Sequence, residues 1–148
     1  MTEDPPTFRL EVPSETRFLG LVRDVARKMA ELSGFDDATA EKIALAVDEA
    51  ATNVLEHAYH GAGDRVVRVD MDQGGESFCV DVVDDGDPLD PARLRGELDI
   101  PGLEKERRTG GLGVHLMGRI MDSVTFQRAA RGNVCCLVKH KRPAPAGR

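Results

Sequence analysis

From Arg65 to Asp84 the chain alternates with a period of two. Val67, Val69 and Met71 fall on one side of "RVVRVDMD", "QGGE" supplies a turn, and Phe78, Val80 and Val82 fall on one side of "SFCVDVVDD". Such a hairpin has one apolar face, and that face must be covered by a second layer. The same parity carries Asp84 to the core-facing side, where an unpaired carboxylate is strongly unfavourable, so Asp84 needs a hydrogen-bond donor.

The sequence supplies helices for the cover. "TFRLEV" reads as a short strand with Phe8, Leu10 and Val12 on one side, ended by Pro13. Ser14 is the predicted N-cap of a first helix whose apolar stripe is Phe18, Leu21, Val22, Val25, Met29 and Leu32, stopped by Ser33 and Gly34. A second helix is predicted from Asp36 or Asp37 to about Tyr59, with a core stripe of Ile43, Val47, Ala50, Ala51, Val54 and Ala58. Its opposite side carries Glu49, Asn53 and His57 on successive turns.

Between Gly86 and Gly111 the periodicity stops, apart from a short helical possibility at "PARLRGEL". A loop of that length in a compact domain is characteristic of an active-site lid. The glycines of "RRTGGLG" then open a helix with Val114, Met117, Ile120 and Met121 on one stripe. A second hairpin, "SVTFQR" and "VCCLVKHK" about a turn at "AARGN", closes the domain. The predicted architecture is α+β: a two-layer sandwich whose mixed, mainly antiparallel sheet carries its helices on one face. The domain is expected over residues 8–141, with 1–7 and 142–148 as disordered termini.

Composition narrows the class of function. A chain of 148 residues with 41% hydrophobic content suits one domain, and a net charge of -6 with 4% aromatics argues against nucleic acid as a partner. Cys79, Cys135 and Cys136 are odd in number, lack metal-ligand spacing and lie in stretches that read as buried strands, as expected of a reduced, cytoplasmic protein. His60 has no partner at zinc-ligand spacing. No apolar run approaches the roughly 18 residues of a membrane span.

Three motifs carry chemistry. On the second helix, Asn53 is a poor interior helix residue, so its amide invites a use. Glu49 one turn earlier is placed to act as a general base, while the Asn53 amide oxygen suits a hard cation such as Mg²⁺. At the end of the hairpin, an inward Asp84 can accept from an exocyclic amine, and Gly86 lets backbone approach a flat ring, a combination suited to adenine. Before the last helix, Gly110, Gly111 and Gly113 leave backbone N–H groups open as an anion cradle. Taken singly these read as a solvated helix face, a turn and a common glycine-rich helix start. His57 is a weaker phosphate-side candidate, and Arg107 and Arg108 read as solvated lid charges.

Together, and in this order, E-x-x-x-N, D-x-G and G-G-L-G behind a long lid resemble the GHKL (gyrase, chaperone, histidine kinase, mismatch repair) ATP-binding fold. "DEAATNVLEHAY", "VVDDGDPLDP" and "GGLGVHLMGRIMDSVTFQRAARGN" are most similar to the bacterial anti-sigma-factor serine/threonine kinases, over positions 8 to 141. The resemblance implies ATP and Mg²⁺ as cofactors, Glu49 as catalytic base, Asn53 as metal ligand, Asp84 as adenine acceptor and Gly86 along the base. It also implies that Gly110, Gly111, Leu112 and Gly113 hold phosphates. The implied protein is a homodimer that binds a sigma factor and phosphorylates a serine or threonine on an antagonist protein. Pro88 stands where many relatives have a second glycine, which stiffens the start of the lid. The competing readings are a nucleotide-binding partner switch without phosphotransfer and the catalytic domain of a sensor histidine kinase.

Overall fold

The predicted hairpin lies at the centre of the sheet. In the computed structural model, which describes residues 7–88, 111–130 and 132–141, β2 (Val66–Asp72) and β3 (Ser77–Asp84) run antiparallel with Val69 opposite Val82 and Met71 opposite Val80. Beside β2 lies β1 (Phe8–Pro13). On the far side of β3 come β5 (Gly132–His140) and then β4 (Ser123–Ala129), giving the order β1-β2-β3-β5-β4. Every described pairing is antiparallel, so the mainly antiparallel sheet of the prediction is met without a parallel pair.

Among the described residues, three α-helices cover one face of this sheet: α1 (Leu19–Leu32), α2 (Asp37–Asn53) and α3 (Gly111–Ile120). Val67, Val69, Met71, Phe78, Val80 and Val82 meet Ile43, Val47 and Met117 in a single buried core, as the alternation requires. The result is the expected two-layer α+β sandwich. The Asp36 carboxylate caps α2 by accepting from the Thr39 N–H at 2.8 Å. No described helix is long and apolar enough to cross a membrane.

Two local expectations fail for identifiable reasons. Ser14 caps no helix: it is buried, donates to the Ala62 carbonyl at 2.5 Å and accepts from the Arg65 N–H at 3.0 Å, tying the end of β1 to the start of β2. A short 3-10 turn, Thr16–Phe18, leads into α1 instead. On α1 the buried line is Val22, Ala26 and Ala30, while Leu21 and Leu32 are exposed. Small residues let α1 lie close against the alanines of α2, and that contact turns the larger leucines outward. Cys135 is buried as expected, but Cys79 and Cys136 are only half-buried, because their parity sets them on the face that carries no helix.

Candidate functional site

The second helix does not run unbroken to Tyr59. After Asn53 it widens into a π turn, Val54–Ala58, in which the Tyr59 N–H reaches the Val54 carbonyl at 2.9 Å. Such turns occur often at functional sites. At its end the Ala58 carbonyl, free as the last carbonyls of a helix are, accepts from the Asp87 N–H at 3.0 Å and joins the helix end to the exit of β3. Gly86 fits only because it lacks a side chain: a Cβ there would lie 2.4 Å from the Ala58 oxygen. The Tyr59 hydroxyl lies 2.5 Å from the Val66 carbonyl and 3.0 Å from Asp85 Oδ1, and it accepts from the Asp85 N–H at 3.1 Å. Burial pushes this phenol up to about 12, so it stays protonated.

This joint brings the helix motif to the strand motif. Asn53 is 1% exposed, yet among the described residues neither its Oδ1 nor its Nδ2 has a hydrogen-bond partner. An orphaned buried amide costs about 1–3 kcal/mol, and native folds rarely retain one without a use. Glu49, one turn earlier, is half-buried; burial first, and then the Asp48 and Glu56 carboxylates, raise its carboxyl above the usual glutamate range. His57 Nε2 is also buried without a hydrogen-bond partner among the described residues, 3.9 Å from Glu56 Oε2.

Asp84 is 4% exposed, on the side that parity assigned. Its Oδ1 accepts from the Gly86 N–H at 2.9 Å and from Asn133 Nδ2 at 2.7 Å. Burial raises its carboxyl above the usual range, and these two donors oppose the shift. The needed donor thus comes from the chain itself, leaving Oδ2 for a ligand. Asn133 sits directly opposite Asp84 in the β3–β5 register and also binds the Asp87 carbonyl at 2.8 Å. Arg128, on the next strand of the same rung, donates to Asn133 Oδ1 at 2.8 Å and to the Gly86 carbonyl at 3.0 Å.

Asn133 and Arg128 were not singled out by the sequence, in which "AARGN" reads only as a turn and Arg128 only as the end of the strand "SVTFQR". Nor was Gly132, although its φ of +117° and a hypothetical Cβ 2.1 Å from the Asp84 carbonyl oxygen make it obligatory. Gly132→Ala should therefore destabilise the domain by about 3 kcal/mol, from overpacking and left-handed backbone strain together. A drop of about 10 °C in Tm by calorimetry is the expected readout.

The phosphate-side prediction is only partly described. Gly110, Arg107 and Arg108 lie outside the described residues, as does the short helix expected in the lid. Gly111, Leu112 and Gly113 form the first turn of α3, where backbone N–H groups have no intrahelical acceptor. Further along α3, Met117 is buried, as is Met121 just beyond it, and Ile120 packs at the core's edge.

Residues 12–139 match the histidine kinase-like ATPase domain. The chain belongs to that family. Among curated relatives, this histidine kinase-like ATPase is 34% identical over 126 residues to the serine-protein kinase RsbW of Halalkalibacterium halodurans, covering 83% of this chain and 76% of that one. It is 31% identical to the serine-protein kinase RsbW of Bacillus velezensis, covering 81% and 77%. The anti-sigma-factor kinases of the GHKL superfamily are thus its relatives. A crystal structure of the RsbU and RsbW domains of a Mycobacterium tuberculosis protein shares the fold, with a TM-score of 0.59 at 18% identity. That match covers 92% of this chain and 32% of the longer one.

ATP use follows from the family, and the chain's own residues fit the metal that accompanies it. The orphaned Asn53 amide offers a hard oxygen of the kind Mg²⁺ takes, and the half-buried Glu49 stands one turn away.

Proposed function

We propose that this chain is an anti-sigma regulatory factor that uses ATP and Mg²⁺ to phosphorylate a serine or threonine of an anti-sigma-factor antagonist. The observation that carries this reading is the buried, unpartnered Asn53 carboxamide one helical turn from Glu49. The serine-protein kinase names of the relatives supply the acceptor chemistry.

In this mechanism Asp84 Oδ2 accepts from the exocyclic amine of adenine, oriented by the bonds that Asn133 and Gly86 make to Oδ1. Gly86 leaves room for the ring. Asn53 Oδ1 would hold the Mg²⁺, which would supply neutralising charge to the phosphates. The N–H groups at Gly111, Leu112 and Gly113, with Gly110 before them, hold phosphate oxygens at the start of α3. Glu49 takes the proton from the incoming hydroxyl; its raised carboxyl brings its basicity closer to that of a working general base. Positioning and electrostatics, more than covalent chemistry, then carry the transfer. The protein acts in the cytoplasm, as a homodimer that holds a sigma factor until the antagonist displaces it.

The test is to incubate the chain with ATP, Mg²⁺ and a candidate antagonist and to map phosphate by mass spectrometry. Phosphoserine or phosphothreonine on the antagonist is the expected product. Saturable ATP-analogue binding with no transfer to any antagonist would replace the kinase by a nucleotide-set partner switch, with Pro88 as the residue to examine first.

A further inference from the structure

Two adjoining cavities open at the end of the domain remote from Asn53 and Asp84. One, of about 440 Å³, is lined by Gly34, Phe35, Asp36, Thr39, Lys139 and His140. The other, of about 380 Å³, is lined by Thr39, Lys42, Leu116, Arg119, Ile120 and Lys139. They share Thr39 and Lys139, so they form one trough between the start of α2, the end of α3 and the last residues of β5. Two independent rulers place it far from Asn53 and Asp84, although on α3 its Leu116 follows Gly113 by only three residues. Thr39 precedes Asn53 by fourteen helical residues, or about 21 Å at 1.5 Å each. Lys139 follows Asn133 by six strand residues, or about 20 Å.

The trough is cationic in a chain whose net charge is -6. Lys42, Arg119 and Lys139 line the second cavity, where no carboxylate stands among the described lining residues, and Lys42 acts on Asp36 of the adjoining wall without pairing with it. Among the described residues, neither Lys42 nor Arg119 is within salt-bridge distance of an acid. Lys139 Nζ is anchored on the Ile120 carbonyl at 2.7 Å, where a cation also complements the end of α3. Asp36 on the first cavity's wall is occupied in capping Thr39. Phe35, Leu116 and Ile120 add apolar wall between these charges. Cation and hydrocarbon side by side in both chambers match a length of chain better than a compact free anion, which would engage the charges and leave Phe35, Leu116 and Ile120 unused.

We infer that this trough binds an acidic segment of a partner protein, its carboxylates meeting Lys42, Arg119 and Lys139 and its apolar side chains meeting Phe35, Leu116 and Ile120. The site is remote from Asn53 and Asp84, and α2 and α3 each run from it towards the nucleotide motifs. The inference does not depend on whether phosphate is transferred.

The test uses the full chain and a fluorescein-labelled peptide of alternating Glu and Leu, read by anisotropy. Saturable binding is expected, weakening as salt rises from about 50 to about 300 mM. The double substitution Lys42→Glu with Arg119→Glu should weaken it by about 10-fold or more while leaving ATP-analogue affinity unchanged. Because a charge-reversed protein can misfold, amide chemical shifts of the unaltered chain supply a second reading, with perturbations expected at Thr39, Lys42, Arg119 and Lys139. Absence of peptide binding, equal binding by the variant, or perturbations confined to other surfaces would overturn the inference. So would full displacement of the peptide by equimolar pyrophosphate, which would make the trough a free-anion site.

Discussion

Glu49→Gln should lower phosphotransfer by about 10²–10⁴-fold at neutral pH, the usual contribution of a positioned general base. ATP-analogue affinity should stay within about two-fold, since the substitution preserves shape and removes only a proton acceptor. The wild-type rate should fall on the acid side with a midpoint above the usual glutamate range, because burial and the neighbouring Asp48 and Glu56 carboxylates raise this carboxyl. Stability should move the other way. A carboxyl whose folded pKa is raised binds its proton more tightly in the fold than in the open chain, so its contribution is full below the unfolded value and is lost as pH rises through the folded one. At pH 7 the neutral Gln variant should therefore melt above wild type, and the gap should close as acid protonates Glu49. Thermal melts over a pH series check the sign; a gap that widens in acid would mean that Glu49 is held as a stabilised anion, unsuited to the role of base.

Asn53→Leu should separate stability from function more sharply still. In the nucleotide-free chain it replaces an orphaned buried amide with hydrocarbon of similar size, which should stabilise the fold by roughly 1–2 kcal/mol and raise Tm by about 4–6 °C. The same change should abolish the stabilisation conferred by ATP analogue with Mg²⁺, which for wild type at about 100 times Kd is about 2.7 kcal/mol. Calorimetry of both proteins with and without ligand tests the two effects together. A variant that melts lower than wild type without ligand would show that the amide does have a structural partner.

The contrast between these residues and their neighbours explains what the sequence could reveal. Alternation named the buried faces of β2 and β3 correctly, and it placed Asp84 inward before any tertiary contact was known, because side-chain direction along a strand is a local property. The core stripe of α2 was legible for the same reason. Register between distant strands is not local. Only when β5 inserts between β3 and β4 does Asn133 stand opposite Asp84, so the donor that Asp84 demanded could be required but not named. The exposed leucines of α1 carry the same lesson for helices: periodicity defines a stripe, but the neighbour's alanines decide which edge of it is buried. The widening of α2 after Asn53 left no mark in the pattern either, because Val54 and Ala58 remain buried in both helical forms.

The joint at the end of that widened turn has a mechanical consequence. The Ala58 oxygen holds the Asp87 N–H while the Tyr59 hydroxyl holds Asp85, so these bonds rivet the end of the helix to the exit of β3. Whatever tilts the rod that carries Glu49 and Asn53 must also drag the threshold beyond Asp84, so the base proposed at Glu49 and the purine slot proposed at Asp84 shift in step.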